Sequence, residues 1–116
     1  MGHENEFNGL YGDILGWVLS TFGSERDPKG VILKAEEELD ELWEAIEKWE
    51  KGWREKEEMY AEVADLMILV VNLAGRLGLD AEMFLRTVRS KLEVNKEREW
   101  IKFPDGTWSH KRGGER

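Results

Sequence analysis

Two pairs of acidic residues in this chain have the spacing of ligands for a divalent cation. Glu38 and Glu41 are three residues apart, and so are Glu62 and Asp65. On a helix this spacing puts two Cβ atoms roughly 5–6 Å apart on one surface. Mg²⁺ and other hard cations prefer oxygen ligands and are normally shared between protein carboxylates and substrate phosphates. Each pair could therefore hold one ion.

The second pair lies in an apolar setting. Asp65 directly precedes the apolar run 66–71, where burying a carboxylate is costly. At about 100° per residue, three other polar residues share its side of the helix: Glu62, Asn72 and Arg76. Acids that only keep a protein soluble would lie on the outer face, so this polar stripe indicates a functional site.

The elements that position these residues are predicted to be helices. Apolar residues recur mostly at spacings of three and four between the two prolines, Pro28 and Pro104, which is typical of α-helices. Asp27 and Pro28 form a helix start, an N-cap followed by proline at the first helical position. Gly52 and Gly78 are helix stops. The expected helices are 7–22, 28–51, 54–77 and 81–96.

The two long central helices are expected to run antiparallel, because a tight turn at Gly52 joins them. The acidic pairs would then face each other and form a cage of four carboxylates. Without a cation, their mutual repulsion would raise some of the pKa values. The first of these helices is expected to bury six apolar residues: Ile32, Leu39, Leu42, Trp43, Ile46 and Trp49.

Length, composition and charge narrow the class of protein. The 116 residues carry a net charge of -8 and include no cysteine, which excludes disulfide scaffolds and thiolate metal sites. The negative charge disfavours a polymeric nucleic acid as partner. No apolar run reaches the roughly 18 residues needed to span a membrane. We therefore expect a soluble cytoplasmic protein with neither a membrane nor a nucleic-acid partner.

The predicted fold is an all-α bundle of three to four helices per chain. Residues 1–116 are expected to form one domain, in which 1–27 are an N-terminal helix and loop and 101–116 an irregular tail. The run 66–71 is apolar all round, so a second subunit is expected to cover part of it. A homodimer or homotetramer is therefore predicted.

Basic and aromatic residues near the end of the last helix could bind a substrate. Lys91, Asn95 and Arg98 have a four-then-three spacing that keeps them on one side, where they could bind phosphate oxygens. Basic residues at a helix C-terminus are also favoured by the helix dipole alone. Trp100, beside the tail, could stack on a base. Four other tryptophans occupy helical positions typical of core or interface residues: Trp17, Trp43, Trp49 and Trp53.

Together these residues resemble the MazG-like, all-α nucleoside triphosphate pyrophosphohydrolases, whose signature is E-x-x-E followed by E-x-x-D. The signature reads Glu38-Leu-Asp-Glu41 and Glu62-Val-Ala-Asp65 here. More narrowly, most of the chain is similar to the phage and bacterial dATP/dGTP pyrophosphohydrolase branch. The phrases of that resemblance are Thr21-Phe-Gly23, Arg26, Gly30-Val-Ile32, 37–42, Arg76-Leu-Gly78, Lys91 and 95–100. The branch has a Trp-Pro-Asp phrase in its tail, whereas this chain reads Trp100-Ile-Lys-Phe-Pro-Asp105, which leaves base preference open.

The resemblance implies hydrolysis of a nucleoside triphosphate, expected to be a purine deoxynucleotide, to the monophosphate and pyrophosphate. It implies that the four signature carboxylates, Glu38, Glu41, Glu62 and Asp65, hold Mg²⁺, with Mn²⁺ as a possible substitute, and perform the catalysis. Lys91, Asn95, Arg98 and Trp100 are assigned to the substrate. Two other interpretations stay open: a house-cleaning pyrophosphatase for dUTP, dCTP or modified nucleotides, and a non-catalytic acidic helical interaction protein.

Overall fold

The computed structural model describes residues 2–24 and 27–111. This part of the chain forms four helices and a two-stranded sheet. The elements are α1 (Gly2–Phe22), α2 (Lys29–Glu50), α3 (Lys56–Arg76), α4 (Ala81–Glu97), β1 (Trp100–Lys102) and β2 (Trp108–His110). None of the described helices combines the length and apolar character that crossing a membrane requires.

The helix boundaries follow the predicted signals closely. Asp27 Oδ1 accepts a hydrogen bond of 3.0 Å from the backbone N–H of Lys29 and so caps the start of α2. Gly52 has φ +78° and Gly78 has φ +91°, a backbone conformation that favours glycine. They end α2 and α3 as expected, while α1 begins five residues earlier than position 7.

Helices α1 to α3 belong to a first compact unit, residues 1–82. Its core consists mainly of small and medium side chains: Tyr11, Ile14, Val18, Val31, Ala45, Val71 and Ala74. The hydroxyl of Tyr11 donates a hydrogen bond of 2.6 Å to the carbonyl oxygen of Leu79. At Gly75, an added Cβ would lie 2.6 Å from Leu15 Cδ2, so glycine allows α1 to pack closely against α3.

The prediction of which α2 residues are buried is wrong. Of the six expected core residues, five are more than a third exposed and Leu42 is only half-buried. The buried positions are Val31, Glu38 and Ala45, each seven residues from the next. This stripe is narrow because α3 covers only one line of α2, and the broader apolar stripe beside it lies at the surface of the single chain.

The second compact unit comprises residues 83–116, of which 112–116 lie outside the described residues. The tail predicted as irregular forms a hairpin, with Trp100 paired to His110 and Lys102 to Trp108. Its turn contains Gly106, whose φ is +92°, and Asp105, whose carboxylate accepts hydrogen bonds from Thr107. These bonds lower the pKa of Asp105. The fold is thus four helices with an added hairpin.

Candidate metal centre and cavity

Three of the four predicted ligands converge in the structure. One carboxylate oxygen from each of Glu38, Glu41 and Glu62 lies within 4.8 Å of the others. Helix α2 supplies the first two from successive turns, and α3 presents the third because it packs against α2. Glu38 is 7 % exposed, although it is charged. A buried carboxylate with two acidic neighbours is uncommon unless it binds a cation or a proton.

Asp65 stands beside this cluster without belonging to it. Its charge acts on Glu62, one helical turn earlier. Its side chain also lines the cavity that Glu38 lines. The two acids of the E-x-x-D motif therefore have different positions. Glu62 lies with the α2 carboxylates, whereas Asp65 lines the adjacent cavity.

The electrostatics of the cluster are unfavourable without a cation. Three causes favour the protonated form of Glu62 and raise its pKa: the hydrogen bond that this form can make with the Glu38 carboxyl group, burial, and the charges of Glu38, Glu41 and Asp65. The charge of Glu38 and burial raise the pKa of Glu41. The Oε2 atoms of Glu38 and Glu62 are buried and have no hydrogen-bond donor among the described residues. Carboxylates can only accept, so the donor set and these two oxygens fit a divalent cation.

Lys34 is the positive group of this region. Its Nζ lies 3.5 Å from Glu38 Oε1 and 3.6 Å from Glu37 Oε1. The nearby acids, Glu37 first, raise the pKa of Lys34, which keeps it charged. Lys34 offsets part of the negative charge on α2 while leaving the second oxygen of Glu38 available. Glu37 itself points to the exposed side of the helix.

A cavity of about 530 Å³ extends from Glu38 and Asp65 through the first unit. Its lining comes from the second half of α1, the start of α2 and the second half of α3. The lining residues are Trp17, Phe22, Asp27, Gly30, Val31, Lys34, Glu38, Asp65, Ile68, Leu69, Asn72 and Arg76. This volume is in the usual range of small-molecule sites. One end is acidic and the other has the amide of Asn72 and the guanidinium of Arg76, and the rings of Trp17 and Phe22 also line the cavity.

Of the polar residues in the predicted stripe of α3, Asp65, Asn72 and Arg76 line this cavity, whereas Glu62 does not. Asn72 is 7 % exposed, and its Oδ1 accepts a hydrogen bond of 2.8 Å from Arg76 Nε. Arg76 Nη1 donates to the backbone oxygen of Asp27 at 3.0 Å. The end of α3 is thereby tied to the start of α2, which makes the two helices antiparallel as predicted.

The four residues assigned to the substrate belong to the second unit. Lys91 lines a surface groove of α4 with Arg86 and Ser90. The backbone oxygen of Asn95 accepts a hydrogen bond of 2.8 Å from the Trp100 indole, and the buried Oδ1 of Asn95 has no donor among the described residues. Arg98 Nη1 lies 3.4 Å from His110 Nδ1. Asn95, Arg98 and Trp100 are thus joined to the hairpin, while Lys91 lies on the groove.

Sequence reasoning missed three residues of the cavity. Trp17 was expected in the core or an interface, yet it is about half exposed and lines the cavity with Phe22, whose ring it meets edge-on at 5.4 Å. Lys34 could have been found, because it precedes Glu38 by four residues on the same helix face. No comparable signal distinguished Trp17 from core residues, and Phe22 stood in one phrase of the resemblance, Thr21-Phe-Gly23, without an assigned role. Arg26, one phrase of the resemblance, lies outside the described residues.

Comparisons with known proteins identify the family of this chain. Residues 12–112 match the family model described as dATP/dGTP pyrophosphohydrolase. A dATP/dGTP diphosphohydrolase of Cyanophage S-2L is 31 % identical over 87 % of this chain and 84 % of its own length. The MazG nucleoside triphosphate pyrophosphohydrolase of Thermotoga maritima is 46 % identical over 57 % of this chain and 23 % of its own.

A solved structure has the same fold. It is the Cyanophage S-2L MazG-like pyrophosphohydrolase, bound to dGDP and three catalytic Mn²⁺ ions per active site. It superposes with a TM-score of 0.68 and 30 % identity, covering 90 % of this chain and 92 % of that one. The resemblance to the MazG-like pyrophosphohydrolases, drawn from the signature acids, is thus confirmed.

Proposed function

Because the chain belongs to the dATP/dGTP pyrophosphohydrolase family, we propose that it hydrolyses a purine deoxynucleoside triphosphate. It is a hydrolase of nucleoside triphosphates, and the proposed products are the monophosphate and pyrophosphate. One water molecule is added across the anhydride between the α and β phosphates. The proposal rests on a single observation: Glu38, Glu41 and Glu62 bring their carboxylates together, and Glu38 also lines a nucleotide-sized cavity.

We propose Glu38, Glu41, Glu62 and Asp65 as ligands of Mg²⁺, with Mn²⁺ as a substitute. When bound, such ions neutralise phosphate charge and lower the pKa of a coordinated water. The unpartnered oxygens of Glu38 and Glu62 support this assignment, and so does the position of Asp65 at the same cavity. Lys34 holds one oxygen of Glu38 and thereby fixes the direction in which the other oxygen points.

Four residues of the second unit are also proposed to bind the substrate. Lys91, Asn95 and Arg98 would bind phosphate or sugar oxygens, and Trp100 would contact the nucleoside. The charges of Lys91 and Arg98 support this role, and Trp100 is 41 % exposed, which leaves its ring available for stacking.

We propose that the protein is a homo-oligomer, a dimer or a tetramer. In the single chain, large apolar side chains of α2 and α3 are exposed on faces that the other described helices do not cover. They include Leu39, Trp43, Ile46, Tyr60, Val63, Met67 and Val70. So many exposed apolar side chains are typical of a subunit interface. Sedimentation velocity that shows one monomeric species at micromolar concentration would contradict this assembly.

Incubation with a panel of nucleotides tests the proposed reaction. dATP, dGTP, dUTP and dCTP are each mixed with the protein and Mg²⁺ or Mn²⁺, and the products are separated by anion-exchange chromatography. We expect equal amounts of monophosphate and pyrophosphate, and faster release from the two purine nucleotides. Faster release from dUTP or dCTP would favour the house-cleaning alternative. Release of orthophosphate alone would exclude a pyrophosphohydrolase.

A further inference from the structure

At the end of the cavity away from the acids, a hydrogen-bond network fixes which atoms donate and which accept. Arginine has only donors, so Arg76 Nε must meet the oxygen of the Asn72 amide, as it does at 2.8 Å. The amide nitrogen of Asn72 therefore points the other way. It has no hydrogen bond within the described residues, and Asn72 lines the cavity. The amide is held with its donor side available to a ligand.

Two acceptors near this amide already accept hydrogen bonds within the protein. The backbone oxygen of Asp27 accepts from Arg76 Nη1, and Asp27 Oδ1 accepts from the N–H of Lys29. Arg76 also lines the cavity and offers nothing but donors. The pair of Asn72 and Arg76 thus presents an edge of hydrogen-bond donors.

The distance from the acids suits a nucleoside. Asn72 follows Asp65 by seven residues, which is about 10 Å along the axis of α3. Two turns of helix bring it back to the same face. This is the reach of a nucleoside from its α phosphate to its base. Trp17 and Phe22 line the same cavity and give it aromatic walls, against which a flat ring can pack.

We propose that Asn72 determines base specificity and that Arg76 is the positioning residue that fixes the Asn72 amide. This inference rests on the proposed function and deepens it. The major-groove edge of guanine has two acceptors, N7 and O6, whereas that of adenine has one acceptor and an amino donor. A donor edge favours guanine and hypoxanthine over adenine. Asn72 thus makes dGTP and dITP better substrates than dATP.

The first test is Asn72→Asp, which keeps the shape of the side chain and its contact with Arg76 but replaces the donor by an acceptor. We expect kcat/KM for dGTP and dITP to fall by on the order of tenfold to a hundredfold, and that for dATP to fall much less. Asn8→Asp is the matched control, because Asn8 is exposed on α1 and gains the same charge. Equal losses for dGTP and dATP, or no loss, would overturn the proposal.

The second test separates positioning from a general structural role. Arg76→Lys keeps the charge but loses the planar fork that holds both Asn72 and Asp27. We expect KM for dGTP to rise with kcat nearly unchanged, and the ratio of kcat/KM for dGTP to that for dATP to approach one. In the double variant with Asn72→Asp, the ratio should fall no further, because the two residues act as one unit. Arg54→Lys is the control, since Arg54 forms an ion pair with Glu58 and does not line the cavity. Additive losses in the double variant would exclude the positioning role.

A binding measurement keeps this inference separate from the proposed reaction. The shift in Tm on adding dGMP or dAMP without metal is measured for the wild type and Asn72→Asp. We expect a larger shift with dGMP in the wild type only. If no nucleotide releases pyrophosphate but this difference is seen, the proposed reaction fails and the base specificity stands. If pyrophosphate is released but the dGMP and dAMP shifts are equal in both proteins, the base specificity fails alone.

Discussion

The two ends of the cavity differ in how their polar groups are satisfied. At the acidic end, Glu38 and Glu62 each have a buried oxygen without a donor among the described residues, and neighbouring charges oppose the ionisation of Glu62. At the other end, Asn72 and Arg76 form a network whose bonds are short and well placed. An unsatisfied cluster requires a ligand for stability, whereas a network held in place by its own hydrogen bonds can offer its remaining donor, the Asn72 amide nitrogen, to a ligand without changing. The contrast indicates chemistry at one end and selection at the other.

The largest expected effect is on turnover at the acidic end. Glu38→Gln keeps the volume of the side chain but removes the charge that a cation needs. We expect kcat to fall at least about a thousandfold, and Asp65→Asn to have a similar effect, with the helical circular dichroism of both unchanged. Pyrophosphate release measures this loss. A near-normal rate in either variant would contradict the role of the acidic end in chemistry.

Metal binding should stabilise the folded protein through the same residues. At a Mn²⁺ concentration 100 times the Kd, one site adds about 2.7 kcal/mol to the free energy of unfolding. We expect a clear rise in Tm for the wild type and almost none for Glu62→Gln. Glu50→Gln, an exposed acid at the end of α2, is the control and should respond like the wild type. If Mn²⁺ raises the Tm of Glu62→Gln as much as that of the wild type, Glu62 is not a metal ligand.

Without metal, Glu62→Gln should stabilise the folded protein relative to the wild type. Glu62 has a raised pKa because of Glu38, burial and neighbouring charges, so its ionisation at neutral pH destabilises the folded state. Protonated Glu62 contributes favourably to the stability of the folded state below its ordinary pKa of 4.5. This contribution is lost as pH rises through the higher pKa that Glu62 has in the folded state. In EDTA at pH 7, Glu62→Gln should therefore raise Tm. The gain should shrink as pH falls toward 4.5; a gain independent of pH would exclude repulsion as its cause.

The smallest expected effect concerns the packing of α1 against α3 at Gly75, next to Arg76. At Gly75, a Cβ would lie 2.6 Å from Leu15 Cδ2, whereas Gly12 has no neighbour within 4 Å of that position. Gly12→Ala should stabilise the protein by about 1 kcal/mol through helix propensity. In Gly75→Ala, steric overlap with Leu15 should cancel this gain in stability. Urea unfolding of both variants measures the difference, and equal gains would show that α1 does not depend on this close contact.

The acidic end of the cavity could be predicted from the sequence. The other end, with Asn72 and Arg76, could be predicted only in part. The signature acids stand at helical spacings, and Gly52 predicts the turn that brings α2 and α3 together, so the convergence of Glu38, Glu41 and Glu62 followed from local rules. Asn72 and Arg76 were placed on the right face by periodicity alone. Their hydrogen bond and the link to Asp27 depend on how α3 meets the start of α2, which spacing does not specify.

By itself, the sequence determined the helices, their ends, the antiparallel pair and the family, because these depend on caps, glycine stops and motifs between near neighbours in the chain. Tertiary structure decided which face of α2 is buried, that Trp17 and Phe22 line a cavity, and that the tail pairs as a hairpin. It also decided that Asp65 stands beside the three converging carboxylates. The physical reason is that burial and side-chain orientation depend on contacts between distant residues, and several apolar faces of this chain could have been covered equally well.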